Sequence, residues 1–278
     1  MIPRTEIAAP SAEEMTALRQ GTAWAPRASD RLDLVGPDRV RFLHNLVTCE
    51  VRELAAGSVA RGFVTHVKGG VLADADVVAL ADRFRLVLPA GRALALRAHF
   101  ERYRIAERVE IVERPDLAAL TLRGARAPEL LAALAVPQLE PNERREGELA
   151  GCRFAVRREA RGREPRYELE LAAADRESFA VSLGRAGEPT GLTAVSPAAI
   201  ELARIEDGEL AWGVDYGEEN FPQETGEVAA VSYSKGCYLG QEVVARIHYR
   251  GAVQRVPCRL LAEPGAAPAP GSEPRRGP

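Results

Sequence analysis

The sequence predicts an α+β fold, helices packed against largely antiparallel sheet, with the pattern occurring twice along the chain. Apolar residues alternate in runs such as Phe84, Leu86, Leu88 and Tyr167, Leu169, Leu171, the period of a strand with one buried face. Between such runs lie segments of helical period, among them Val40, Leu43, Leu46 and Val47. The order reads β-α-β-β-β-α-β and then restarts near residue 117.

Residues 31–35 read as a strand, and Gly36-Pro37-Asp38 opens a helix with proline in its first turn. Strands are expected over 59–67, 70–80 and 83–89. A helix over 92–104 presents Leu96, Phe100 and Tyr103, and a strand over 108–112 follows. The second unit starts with a strand over 117–122 and a helix over 127–135, and residues 137–148 read as a polar connection. Strands over 153–158 and 166–171 precede a helix over 175–183. Ser196-Pro197 then caps a helix carrying Ile200, Ala203 and Arg204. Residues 253–261 read as one more strand. Residues 262–278, dominated by Pro, Gly and Ala, bury too little to offset their ordering entropy and are expected to be disordered. The expected division is an N-terminal extension (1–24), α+β units at 25–115 and 116–230, a segment 231–261 and the tail 262–278. Two units side by side leave a cleft for a small molecule.

Composition removes several function classes. The 278 residues are 46% hydrophobic and 28% charged with a net charge of −3, so no basic excess exists to grip a phosphate backbone, and no direct nucleic-acid partner is expected. The longest stretch without charge, 189–200, falls short of the roughly 20 residues that span a bilayer. Met1–Pro10 carries Arg4 and Glu6 and no apolar run, so no secretory leader is expected. Four widely spaced cysteines without a CxxC pair argue against a disulfide scaffold and against a metal site built by this chain alone. A cytoplasmic monomer is expected.

Of the 37 basic residues only Lys68 and Lys235 are lysines, and both precede glycine. Arginine cannot replace a compact ammonium that must titrate or fit a narrow site. Lys235 opens the segment in which the chemistry concentrates, Lys235-Gly236-Cys237-Tyr238-Leu239-Gly240-Gln241-Glu242. Cys237 lies between two glycines that permit sharp turns, and a cation two residues away lowers a thiol from its usual value of about 8.5. Gln241 and Glu242 lead into a strand-like Val243-Val244-Ala245.

Those eight residues resemble the K-G-C-Y-x-G-Q-E signature of the YgfZ family of folate-binding proteins, relatives of the glycine-cleavage T-protein (aminomethyltransferase) and of mitochondrial iron–sulfur assembly factors. T-proteins typically carry aspartate where Cys237 stands. The likeness continues in Thr48-Cys49-Glu50-Val51, Gly69-Gly70-Val71-Leu72-Ala73-Asp74, Arg204-Ile205-Glu206-Asp207-Gly208 and Pro222-Gln223-Glu224, and covers roughly residues 25–260. It implies two intertwined ferredoxin-like units around a central folate pocket, followed by a C-terminal β-barrel. This chain supplies fewer residues past the signature than that barrel needs, so a rudimentary or missing barrel is expected. The loop that carries pterin contacts in T-proteins corresponds to Ala160-Arg161-Gly162-Arg163-Glu164-Pro165, where the aromatic and the acid are replaced.

The resemblance implies roles residue by residue. Cys237, with Lys235 beside it, and Asp74, at the place of the T-protein's catalytic aspartate, are the candidate catalytic groups. Asp74, Arg204, Glu206, Glu224, Tyr238, Gln241 and Glu242 are candidates for holding tetrahydrofolate. Read from the residues alone, Asp74 and Asp76 alternate as solvated outward residues would, and Arg204 suits an internal ion pair with its neighbours. His248 is available as a partner for Cys237 without an evident orienting group. The expected function is a tetrahydrofolate-binding accessory protein that supports iron–sulfur enzymes, including tRNA-modifying ones, with iron–sulfur enzymes or assembly proteins as partners. A folate-dependent aminomethyltransferase and a non-catalytic truncated remnant are the alternatives.

Overall fold

Each strand has two faces, and in the central strands of both sheets both are covered, which decides the architecture. The computed structural model describes residues 9–251, 253 and 255–258. The chain begins with α1 (Ala12–Gln20) and β1 (Thr22–Arg27), then β2 (Ser29–Val35), α2 (Arg39–His44), β3 (Val59–Thr65), β4 (Val71–Ala79), β5 (Arg83–Pro89), α3 (Ala93–Tyr103) and β6 (Glu110–Glu113). There follow β7 (Leu117–Arg123), α4 (Ala127–Ala133), β8 (Arg144–Leu149), β9 (Cys152–Arg158), β10 (Arg166–Ala172) and α5 (Arg176–Gly187). The described part closes with β11 (Leu192–Ala194), α6 (Pro197–Asp207) and α7 (Gln241–Arg250). The first sheet has the order β3-β4-β5-β2-β6 and the second β11-β1-β7-β10-β9-β8. Among the described residues, the strands of both sheets pair antiparallel except β1 with β11.

Helices cover one face of each sheet. Phe42, Leu43, Leu96 and Phe100 of α2 and α3 pack on Leu32, Leu34, Ala75 and Leu86 of the first sheet. Leu130, Leu131, Phe179 and Leu183 of α4 and α5 pack on Leu120, Leu122, Val156 and Leu169 of the second. The residues that alternate with these point at the other sheet, and many are charged. Arg31 meets Glu168 at 3.0 Å and Glu170 at 2.6 Å, Arg85 meets Asp33 at 2.7 Å, and Arg157 meets Asp76 at 2.8 Å. Burial works against these carboxylates, and the arginines overcome it: Asp33, Asp76 and Glu168 all titrate below the usual carboxylate range. The expectation that Asp74 and Asp76 face solvent is therefore corrected. Their alternation is real, but the outward side is the space between two sheets.

Four further differences have local causes. The described part of residues 1–24 is no separate extension: α1 starts with a Ser11–Glu14 capping box, and β1 sits inside the second sheet. Within 137–148 lies β8, an edge strand that turns into β9 through Ala150 and Gly151, both at positive φ, the geometry of a two-residue hairpin. The strand-like 243–245 belongs to α7, because Gly240 at φ +86° starts the helix and Val244 is buried among Phe63, Val71, Tyr216 and Tyr238. Val253 and residues 255–258 form no strand. The rest of the expected strand, and the tail 262–278, lie outside the described residues. No helix among the described residues is long and apolar enough to cross a membrane.

Candidate functional site

A cavity of about 410 Å³ opens where the two sheets part and α6 closes the gap, a volume within the range of small-molecule sites. Sequence repeatedly dictates what lines it. Arg61 on β3 lies beside β4, whose alternation aims Asp74 and Asp76 to the same side. The Arg61 guanidinium reaches Asp74 Oδ2 at 2.5 Å, Asp76 Oδ1 at 3.1 Å and Glu227, so that one buried cation organises three acids. These acids hold its pKa above the ordinary arginine value despite burial. The other oxygen of Asp74, Oδ1, has no hydrogen-bond partner among the described residues.

The opposite wall is apolar and comes from α6 and the segment after it, namely Pro197, Ile200, Leu210 and Trp212. Trp212 is fixed on both sides: its indole N–H donates to the Val71 carbonyl at 3.0 Å, and the Arg92 guanidinium lies 4.0 Å from its ring. Arg204 lines the cavity from α6, held by Glu201 at 2.6 Å and Asp215 at 2.7 Å, which raise its pKa. It is the internal ion pair the residues suggested, with neighbours other than Glu206. The cavity thus sets an apolar wall against a charged one in which carboxylates and arginines alternate, among them Asp74, Asp76, Arg61 and Arg123.

The signature segment lies elsewhere, laid over the end of α2. Ser232 N–H donates to the Thr48 carbonyl at 2.9 Å, and Leu239 N–H to that of Asn45 at 2.9 Å. Lys235 is buried, and its Nζ donates to the carbonyls of His44 at 2.8 Å, Val47 at 2.8 Å and Cys49 at 2.6 Å. An ammonium has three N–H groups, so none remains for Cys237. That corrects the expectation that Lys235 activates this thiol. Burial pushes the Lys235 ammonium down to about 8, and burial pushes the enclosed Cys49 thiol up to about 12. Cys237 itself is exposed. It borders a shallow depression of about 350 Å³ with Phe42, Leu46, Tyr103 and Glu107, and this shares no lining residue with the inter-sheet cavity.

Residues 3–235 match the GCVT N-terminal domain family, most of the chain. The chain belongs to that family. It is 27% identical over 239 residues to the tRNA-modifying protein YgfZ of Serratia proteamaculans, covering 84% of this chain and 69% of that one. With an aminomethyltransferase of Rubrobacter xylanophilus it shares 30% over 222 residues, 78% of this chain and 58% of the other. With the human mitochondrial iron-sulfur cluster assembly factor IBA57 it shares 27% over 285 residues, 93% of this chain and 73% of the other. Its fold resembles the crystal structure of glycine cleavage system aminomethyltransferase T from Bartonella henselae, with a TM-score of 0.76 at 22% identity over 86% of this chain and 66% of that one. The chain thus spans between 58% and 73% of these proteins.

Within this GCVT-domain chain the residues singled out from sequence divide in two. Asp74 and Arg204 meet at the cavity. The others do not line it. Glu206 is paired with Arg19 at 2.6 Å on the outer side of α6. Glu224 caps a short 3-10 turn, accepting from Phe221 N–H at 3.1 Å and the Asn220 amide at 3.2 Å. Tyr238 is buried beside Lys235, and its phenol is pushed up by that burial. Gln241 and Glu242 form the first turn of α7. The His248 ring stacks on Tyr233 at 3.6 Å. Arg61 and Trp212 escaped sequence reasoning, although Trp212 is one of two tryptophans and stands four residues past the Arg204–Gly208 motif. No group of three or more His, Cys, Asp or Glu that could hold a metal ion occurs among the described residues.

Proposed function

We propose that this protein binds tetrahydrofolate in the inter-sheet cavity and acts in the cytoplasm as an accessory factor for iron–sulfur enzymes, including those that modify tRNA. The observation that carries this reading is the separation of its two sites. Asp74, Arg204 and Trp212 line an inter-sheet cavity with room for a pterin, whereas Cys237 is exposed beside a separate depression where another protein has access. Similarity to YgfZ and IBA57 proteins, and a cysteine in place of the T-protein aspartate, support the same conclusion. In this role Cys237 meets the partner, and the folate holds the two sheets in a defined arrangement.

Anaerobic calorimetry of the folded chain with tetrahydrofolate tests the ligand half. Saturable micromolar binding that Trp212→Ala weakens at least tenfold is expected. No heat from a folded protein overturns it. For the partner half, Cys237→Ser is expected to keep folate affinity within twofold. It should fail to restore iron–sulfur enzyme activity in cells lacking the protein, and full restoration removes Cys237 from the function. A second reading, one-carbon transfer of the aminomethyltransferase type, is favoured by one feature: Asp74 lines the cavity and its Oδ1 has no hydrogen-bond partner among the described residues. Folate-dependent turnover of a methylamine-type donor that Asp74→Asn abolishes would establish that reading instead.

A further inference from the structure

One part of the inter-sheet cavity is lined by charged side chains, two of which keep a buried polar atom without a hydrogen-bond partner among the described residues. Arg123 on β7 and Arg166 on β10 are register neighbours, and both point between the sheets. The left-handed turn at Gly208, φ +76°, ends α6 so that Asp207 and Glu209 descend onto them. Arg123 Nη2 meets Asp207 Oδ2 at 2.6 Å, and Arg166 Nη2 meets Glu209 Oε2 at 2.9 Å. Arg166 is completed by Glu159 through its Nε, Asp207 Oδ1 accepts from the Arg163 N–H at 3.4 Å, and Arg161 Nη1 lies 3.7 Å from Glu209 Oε2. Arg123 Nε and Glu209 Oε1 are buried with no hydrogen-bond partner among the described residues, although both side chains line the cavity and are at least nine-tenths buried. Buried polar groups without partners are rare in folded proteins, and a bound ligand accounts for them.

We propose that Glu209 and Arg123 read a ring lactam, a carbonyl beside an N–H, on the ligand of this cavity: Glu209 Oε1 accepts from the N–H and Arg123 Nε donates to the carbonyl. The inference rests on the folate reading, since the reduced pterin ring presents such an edge. The segment 160–165 passes directly over the pair, because a Cβ on Gly162 would lie 3.1 Å from Asp207 Oδ2 and 3.6 Å from Glu209 Oε1.

The test is anaerobic calorimetry of the full chain with 6-methyltetrahydropterin and with its N3-methyl derivative, which keeps the carbonyl and loses the N–H. Wild type is expected to bind the parent ring at least tenfold tighter. Glu209→Gln should weaken the parent ring about tenfold and leave the N3-methyl ring unchanged, so that the preference collapses. A purely structural role for Glu209 would weaken both rings equally, and that result overturns the inference while the folate reading stands. A folded wild type that binds neither ring nor tetrahydrofolate overturns both. Should Glu209→Gln fail to fold, Glu209→Asp carries the same comparison with the charge kept and the carboxylate withdrawn. A preserved wild-type preference in that variant also counts against the lactam contact.

Discussion

Lys235 shows what a single side chain contributes here. Its ammonium closes the open end of α2, where the carbonyls of His44, Val47 and Cys49 converge without helical partners. Lys235→Met leaves three buried acceptors unmatched and is expected to cost about 3–5 kcal/mol, read from urea denaturation. Lys235→Arg should rescue little of that, because a planar fork cannot aim at three converging carbonyls. The sequence flagged this residue through the scarcity of lysine, yet placed its charge on Cys237. A one-dimensional neighbour two residues away was less relevant than carbonyls almost two hundred residues earlier. A second expectation at this scale concerns His99, whose ring packs on Tyr103 and Phe100 in α3. Burial pushes it down to about 4, so the folded state resists protonation that the unfolded chain accepts from its ordinary 6.5. Its stabilising contribution is complete above pH 6.5 and is lost as pH falls toward 4. Allowing for solvent screening of a half-buried ring, the change is about 1–2 kcal/mol. His99→Phe should flatten the pH–stability curve by that amount in this window.

Among the elements, α7 depends most on the residue that precedes it. Gly240 adopts φ +86°, and a Cβ there would lie 2.5 Å from the His66 carbonyl, at the β3–β4 turn. Gly240→Ala is expected to lower stability by about 2–3 kcal/mol and to make α7 the first site of limited proteolysis. Sequence periodicity misread this element because Val243 and Val244 are β-branched, and the burial of Val244 against Phe63 and Val71 overrides local preference. The interior strands were legible for the opposite reason. Phe84, Leu86 and Leu88 declare a helix-covered face by alternation, and β5 has the bounds that pattern predicts. Edge strand β8 was hidden, since Arg144, Glu146 and Glu148 read as loop until β9 pairs with them.

For the molecule as a whole, the decisive feature is a charged layer between two sheets. Arg31, almost fully buried, bridges Glu168 and Glu170 from β2 to β10. Arg31→Met strands two carboxylates inside and is expected to cost about 3–5 kcal/mol, seen as a lower urea midpoint. Raising salt from 0.1 M to about 1 M should change the wild-type midpoint little, because buried pairs are weakly screened. The candidate site inherits its legibility from this arrangement. Asp74 was findable from its motif, whereas Arg61, Arg123 and Glu209 become meaningful only when the second sheet is set against the first. The same layout constrains how the chain is made. β1 ends at Arg27, yet it is held between β7 and β11, and β11 begins only at Leu192. At roughly 5–20 residues per second of synthesis, that strand waits on the order of ten seconds beside the ribosome with an open backbone edge. The second sheet can therefore be completed only once Ala194 has been made, and nascent chains short of residue 192 are the species a chaperone would have to hold.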